Sequence, residues 1–179
     1  MSFLGVPADA VSAYAAIAAF VLAAIALLRE IRHTTWVRQT DLMLKYTEMF
    51  NSPRTRHDRL VACKFLAEKR PFDPEDNDWD KIGPLLDFFQ ELAQRTRYGG
   101  LPLAFVHGDY FYWLAHYWAA CKPYIDHHRR KGPMYLMDVV WLHEHSRRID
   151  IKKNEGAYSN VNHVQVDDFL GYEITTLTE

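Results

Sequence analysis

Cysteine is scarce in this chain of 179 residues, and the two that occur follow no pattern of pairing or metal binding. Cys63 and Cys121 are 58 positions apart, and neither has another cysteine or a pair of histidines at zinc-ligand spacing beside it. A disulfide-stapled fold and a structural zinc site both require such spacing. The sequence therefore predicts reduced thiols, which are typical of a reducing compartment.

The chain also lacks an excess of charge of either sign. It has 21 Lys and Arg against 23 Asp and Glu, which gives a formal net charge of -2. Nucleic-acid-binding domains carry a basic excess, and solvated tails carry an acidic one. We therefore expect no nucleic-acid partner.

The motifs of common catalytic and cofactor sites are missing too. The sequence contains no G-x-G-x-x-G, no P-loop, no G-x-S-x-G and no H-E-x-x-H. His143-Glu144-His145 does not replace them, because residues two apart on a helix point about 200° away from each other. We predict a protein that is not an enzyme and that holds no cofactor or metal.

One pair of carboxylates is spaced as in a metal or acid-base site. Asp87 and Glu91 stand four apart on one face of a predicted helix, and a metal-dependent enzyme would have to combine them with His116. Arg95 and Arg97 follow one turn later on the same helix. This spacing favours a local ladder of salt bridges over a metal site.

A long apolar run stands out against these absences. Residues 10–28 are 19 residues without a charge, and they cover about 28 Å as a helix against a hydrocarbon core of about 30 Å. A core helix of that length normally carries a polar stripe, and this one has only Ser12 and the Tyr14 hydroxyl. We predict a transmembrane helix that ends the N-terminal segment, residues 1–28.

Basic residues follow the run and none precede it. The first nine residues contain no Lys or Arg, whereas Arg29, Arg32, Arg38 and Lys45 come directly after the span. No basic n-region or cleavage site of a secretory signal is present. In a bacterium the positive-inside rule then places the N-terminus outside the inner membrane and the rest of the chain in the cytoplasm.

Two sets of residues are predicted to touch the membrane or a membrane partner. Ala15, Ala19 and Ala23 recur every fourth residue, and small residues at that spacing let two helices pack closely. We expect them to pack on another membrane-protein subunit. Arg29 and Arg32 after the span, and Arg129 and Arg130 in the basic run at residues 126–131, are expected to contact anionic lipid headgroups or another anion.

Beyond the span the pattern is helical, which predicts an all-α fold with a cytosolic helical bundle over residues 29–149. Ser52 and Pro53 begin a second helix that ends near Lys69. A third runs from Asp78 or Asp80 to Tyr98, with Pro84 in its first turn. A fourth spans residues 109–128 with a kink at Pro123, and a fifth spans residues 134–149.

Residues 150–179 lack a helical period, so we predict an extended, irregular tail in which residues 160–166 could form a short strand. Tyr158, Phe169 and Tyr172 are spread among polar residues of this tail. Together with Val161, Val164, Val166 and Leu170, they are too few and too irregular to build a core and too apolar for a free linker. We expect them to contact another surface, either that of a partner subunit or that of the chain's own head.

Several of these features together resemble a known kind of protein. The features are the single N-terminal span, the long helix after it, D-F-F-Q-E-L at residues 87–92, Y-W at residues 117–118 and K-P-Y-I at residues 122–125. They look like a family of small bacterial single-pass membrane-anchored helical proteins of unknown function. The resemblance covers about residues 10–149 and implies a helical cytosolic domain without assigned catalytic residues.

The absence of catalytic motifs and the small-residue face favour a non-catalytic accessory subunit of a larger membrane complex. Photosynthetic reaction-centre and antenna assemblies, or respiratory complexes, are the hosts we expect. The alternative is a membrane-tethered regulatory or sensor domain that binds a peptide, a lipid or a small ligand.

Overall fold

The computed structural model describes residues 8–153 and 156–178, with side chains from Ser12 onward, and every regular element in these ranges is helical. The elements are α1 (Ala8–Asn51), α2 (Pro53–Ala67), a 3₁₀ helix (Asn77–Ile82), α3 (Gly83–Arg97), α4 (Leu103–Ala120), α5 (Lys122–Lys131), α6 (Met137–Lys153) and α7 (His163–Thr178). The predicted all-α class with one long apolar helix at its N-terminal end is confirmed.

The chain divides into two compact units, Met1–Asp41 and Leu42–Glu179. Helix α1 supplies the described part of the first unit, and from Leu42 onward it supplies one helix of the second unit, which we call the head. Residues 29–41 thus group with the apolar segment, and residues 156–178 group with the head.

In the first unit, α1 is long and apolar enough to cross a membrane, and none of its apolar window is buried. Ile17, Phe20 and Leu22 are 60%, 74% and 67% exposed. Exposing such side chains to water costs free energy in proportion to their area, whereas lipid tails accept them. The segment has the length and the surface of the predicted span.

The break between α1 and α2 lies where the sequence predicts it. Ser52 is extended, with ψ 151°, and its hydroxyl accepts a hydrogen bond from the backbone N–H of Thr55 at 3.3 Å. Pro53 occupies the first helical position, where its missing N–H costs nothing. The cap and the proline together end one helix and begin the next.

The third predicted helix is two elements. Asp76, rather than Asp78 or Asp80, caps the 3₁₀ helix by accepting a hydrogen bond from the backbone N–H of Asp78 at 2.9 Å. Helix α3 then begins at Gly83 with Pro84 in its first turn, as expected. After α3 the chain turns through Gly99, whose φ of +83° is a conformation that glycine adopts without a steric penalty.

The fourth predicted helix is broken rather than kinked. Helix α4 starts at Leu103, because the extended Pro102 precedes it, and ends at Ala120. Helix α5 starts at Lys122 with Pro123 in its first turn. Proline has no N–H to donate to the carbonyl of the residue four positions earlier, and its ring clashes with that carbonyl. A new helix therefore begins where one continuous helix was expected.

The C-terminal segment corrects the prediction of an irregular tail. Residues 163–178 form α7, and residues 160–166 form no strand. Asn162 and Gln165 cap the helix reciprocally, because each backbone N–H donates to the other's side-chain oxygen, at 2.9 and 3.0 Å. The segment is therefore part of the folded head.

Aromatic residues are prominent in the core of the head, where 11 of the 28 described buried hydrophobic residues are Phe, Tyr or Trp. Phe50, in the last turn of α1, has ring centroids of Phe88, Tyr110 and Trp113 within 5.2–5.4 Å. Helices α1, α3 and α4 meet at this side chain. Edge-to-face pairs of this kind add stability beyond the area that they bury.

Candidate functional site

The residues predicted to pack on a partner helix lie on the exposed part of α1. Ala15, Ala19 and Ala23 are all exposed. Because each helical residue turns 100°, steps of four residues rotate by only about 40° and keep the three on one face. Arg29 and Arg32 follow on the same helix and are exposed as well.

The second predicted pair of basic residues ends α5. Arg129 is half-buried, and its Nη1 donates a hydrogen bond to the carbonyl oxygen of Tyr135 at 2.9 Å. Arg130 is exposed. Arg129 therefore closes the turn between α5 and α6, and Arg130 is the member of the pair that is free to meet an anion in solution.

The structure places the predicted tail contacts on the chain's own head. Phe169 is 2% exposed, and its ring lies 4.9 Å from the ring of Tyr117 and 4.7 Å from that of His116. Tyr158 packs edge-on against Tyr112 at 5.4 Å. Tyr172 is 62% exposed. The sequence left two possible surfaces for the tail, that of a partner subunit and that of the chain's own head. Phe169 and Tyr158 contact the head.

A buried polar cluster holds α7 in place. The carboxylate of Glu173, which is 1% exposed, accepts hydrogen bonds from Arg59 Nε at 3.1 Å, from Tyr117 Oη at 3.0 Å and from Trp113 Nε1 at 3.1 Å. A second bond comes from Arg59 Nη2. This set of four residues, Glu173, Arg59, Trp113 and Tyr117, is called the Glu173 cluster below.

Arg59, the cation of the Glu173 cluster, is buried like the glutamate. Arg59 in α2 is 4% exposed, and its guanidinium carbon lies 4.0 Å from the centre of the Phe50 ring. Its Nη1 also donates to the carbonyl oxygen of Phe50 at 3.4 Å. One side chain thus joins the end of α1 to α2 and, through Glu173, to α7.

Burial suppresses acid-base chemistry around this cluster. The pKa of Tyr117 is raised well above its usual value, first by burial and then by the charge of its neighbours. Burial also raises the pKa of the Cys63 thiol, which lies 3.2 Å from Tyr117 Oη, to about 12. Neither group ionises near neutral pH, so the cluster has the properties of a structural lock rather than a catalytic site.

One of the two candidate carboxylates, Glu91, is hydrogen-bonded within the head. Glu91 accepts a hydrogen bond from Tyr46 Oη at 2.9 Å. Arg97 pairs with Asp138 of α6 at 2.7 Å, so the salt-bridge ladder predicted within α3 is wrong at that residue. Among residues 12–153 and 156–178, no three His, Cys, Asp or Glu side chains are placed to hold one ion, and Asp87, Glu91 and His116 do not form a site.

A groove of about 540 Å³ opens between α4, α5, α6 and residues 158–163. On one wall, the His143 ring is stacked on the Trp118 ring at 4.7 Å with 17° between the planes. Arg147, one turn after His143, also lines it. His145 is directed elsewhere, with Nδ1 at 2.8 Å from the carbonyl oxygen of Trp141, so the two histidines of the H-E-H run diverge as their spacing requires.

Sequence reasoning missed both the Glu173 cluster and this groove. Residues 166, 169, 170, 173, 174 and 177 lie three or four apart, which is the spacing of one helix face. Because residue 173 is a glutamate, it breaks the apolar stripe that would have indicated α7. The partner that makes this glutamate an inward residue, Arg59, lies 114 positions earlier.

The chain matches no protein-family model, no curated protein and no solved structure. The resemblance based on residues 87–92, 117–118 and 122–125 therefore stays a prediction.

Proposed function

We propose that the protein is a non-catalytic accessory subunit of a larger membrane complex, anchored by α1 through the face that contains Ala15, Ala19 and Ala23. The observation that carries the proposal is the exposed apolar helix with three small residues on one face. Lipid tails are as apolar as Leu, so helices associate in a membrane through close packing rather than through the hydrophobic effect. Small side chains are what permit that approach.

The self-contained head agrees with this role. Helix α7 packs on the head and contributes Phe169 to its core, so the chain itself supplies this part of the core. The buried carboxylates Glu173 and Asp138 are hydrogen-bonded to other parts of the same chain. An accessory role therefore rests on the span and on the exposed surface of the head.

The proposal is tested by co-purification in mild detergent. Leucine at Ala19 or Ala23 adds bulk without reducing hydrophobicity, so we expect membrane insertion to persist and recovery of the partner subunits to fall by at least about tenfold, which is 1.4 kcal/mol of lost packing. Ala24→Leu is the matched control, since residue 24 lies about 140° around the helix from Ala19. Unchanged recovery with both Ala19→Leu and Ala23→Leu would contradict the proposal.

We also propose that the N-terminus lies outside the inner membrane and the head in the cytoplasm, on the basis of the basic residues that follow residue 28. In a variant without Cys63 and Cys121, a membrane-impermeant thiol reagent should label Ser2→Cys in intact cells and leave Lys131→Cys unlabelled. Lys131 is exposed at the end of α5, so its label reports topology rather than burial. Labelling at residue 131 alone would reverse the orientation.

Photosynthetic and respiratory complexes are the hosts that we propose to examine first. The co-purifying subunits, identified from native membranes of the source cell, distinguish these hosts from each other and from unrelated assemblies.

A further inference from the structure

The groove beside Trp118 and His143 contains a cation without a counter-ion. Arg147 donates from Nε to the carbonyl oxygen of Ser159 at 3.3 Å and from Nη2 to Oδ1 of Asn160 at 3.4 Å, both neutral and both long. Within the part of the chain that the structure describes, no carboxylate lies within ion-pair distance of its guanidinium. Three of its five N–H groups are therefore available to a ligand.

The other charges of the groove cancel. Lys122 Nζ lies 2.7 Å from each carboxylate oxygen of Asp126, one turn along α5. The pair is neutral as a unit, so Arg147 gives the groove a net charge of about +1. The groove thus complements a single negative charge.

His143 supplies a second polar group without a partner. Neither of its ring nitrogens is hydrogen-bonded to a described residue, although the ring is half-buried against Trp118 and Phe111. Burial first, and then the positive charges of Arg147 and Lys122, lower the pKa of His143 to about 4. At neutral pH the imidazole is uncharged and has one N–H to donate and one nitrogen to accept.

The groove also contains enough apolar surface, beside the polar residues 158–160 and His163, to hold the body of a small molecule. Ala115, Ala119, Pro123 and Val161 line the groove together with Trp118. A volume of about 540 Å³ lies within the range of small-molecule sites, which combine an apolar lining with a few polar groups that fix orientation. This groove has that composition.

We propose that the groove binds a small organic anion with an apolar body, whose carboxylate or phosphate group is held by Arg147 and whose body lies along Trp118 and His143. The guanidinium fork fits both kinds of anion through paired hydrogen bonds. The inference goes beyond the accessory role, because it concerns the head and not the span.

The test uses the full chain in detergent and three probes of similar size: benzoate, phenyl phosphate and the neutral benzyl alcohol. The ring signal of His143 is followed by NMR and is assigned by its loss in His143→Gln. We expect at least one of the two anions to shift this signal saturably, with benzyl alcohol binding at least about tenfold more weakly. The tighter of the two anions identifies the ligand as a carboxylate or a phosphate.

Arg147→Gln should weaken binding of the preferred anion by at least about tenfold. The matched control is Arg148→Gln, the next residue on the same exposed stretch of α6, which does not line this groove and should change the affinity by less than about twofold. Far-UV circular dichroism and the melting temperature verify that both variants are folded.

Three results would each overturn the proposal. One is the absence of a saturable shift with either anion up to about 10 mM. Another is equal binding by the native chain and Arg147→Gln. The third is equal binding of benzyl alcohol, which would show an apolar contact without recognition of charge. None of these results bears on co-purification through the α1 face, so the two proposals succeed or fail separately.

Discussion

Neutralising Glu173 should destabilise the head far more than its single charge suggests. Glu173→Gln keeps the shape of the side chain but leaves the guanidinium of Arg59 buried without a counter-charge. The amide NH₂ of glutamine would also face donors, since Arg59, Trp113 and Tyr117 all donate to this position. Removing one partner of a buried ion pair costs about 3–5 kcal/mol, and we expect a loss in that range.

That loss is a large part of the stability of a domain, which is typically about 5–15 kcal/mol. At about 3 °C per kcal/mol for a unit of this size, the melting temperature should fall by about 10–15 °C. Denaturant unfolding of the full chain in nonionic detergent, followed by tryptophan fluorescence, measures the same loss as a shift of the midpoint at constant slope.

An exposed ion pair between the end of α2 and α7 supplies the control. Lys69, two residues after the last residue of α2, and Asp167 of α7 are 2.7 Å apart, with side chains 66% and 42% exposed. Exposed pairs contribute about 0–1 kcal/mol, so Asp167→Asn should lower the melting temperature by no more than about 3 °C. The contrast separates the effect of burial from that of simply joining α2 to α7.

A double-mutant cycle then isolates the ion pair. Glu173→Leu alone leaves the buried cation of Arg59 unpaired, whereas adding Arg59→Met removes that cation and should restore about 2 kcal/mol or more. If the two changes are additive within about 0.5 kcal/mol, or if Glu173→Gln costs no more than Asp167→Asn, the Glu173 cluster does not lock α7 and the reasoning is wrong.

Three further outcomes are expected. Deleting residues 155–179 should abolish cooperative unfolding of the head, measured by denaturant titration, because it removes Phe169 from the core; an unchanged transition would mean that α7 is dispensable. The lowered pKa of His143 means that the unfolded chain takes up the proton first, so the contribution of His143 to the free energy of unfolding should fall by about 3 kcal/mol as pH drops from 6.5 to 4 and stay constant below pH 4; the difference between the pH profiles of the native chain and His143→Phe measures this contribution, and identical profiles would refute it. Cys63 and Cys121 are fully buried and burial raises the pKa of both thiols, so they should react with a thiol reagent at least about 100-fold more slowly in the native chain than in denaturant; fast labelling of the native chain would contradict the buried geometry.

The elements that the sequence predicted correctly are those with local signals. The signal for the start of α2 is contained in four consecutive residues, from the cap Ser52 to Thr55. The apolar part of α1 is likewise defined by its own uncharged run of 19 residues and by no contact with another segment. At Pro123 the sequence indicated a kink, whereas the structure shows a break, with α4 ending at Ala120 and α5 beginning at Lys122.

The elements that were missed depend on distant partners. Glu173 interrupts an otherwise regular apolar stripe, and it is compatible with the core only because Arg59, Trp113 and Tyr117 donate to it there. The pairing of Arg97 with Asp138 likewise crosses from α3 to α6 and competes with partners on its own helix. No periodicity within one segment encodes such contacts, so the predicted tail and ladder were wrong for the same reason.

The long separation between Arg59 and Glu173 also affects how the head is made. The ribosome adds Glu173 114 residues after Arg59, which takes about 6–23 s at about 5–20 residues per second. Throughout that interval the face of α2 that will receive α7 has no cover. The guanidinium of Arg59 on that face of α2 binds water. A leucine at the same position would extend the exposed hydrophobic patch that other nascent chains could contact. The charge that is buried in the finished core therefore makes the uncovered face of α2 less apolar until α7 has been made.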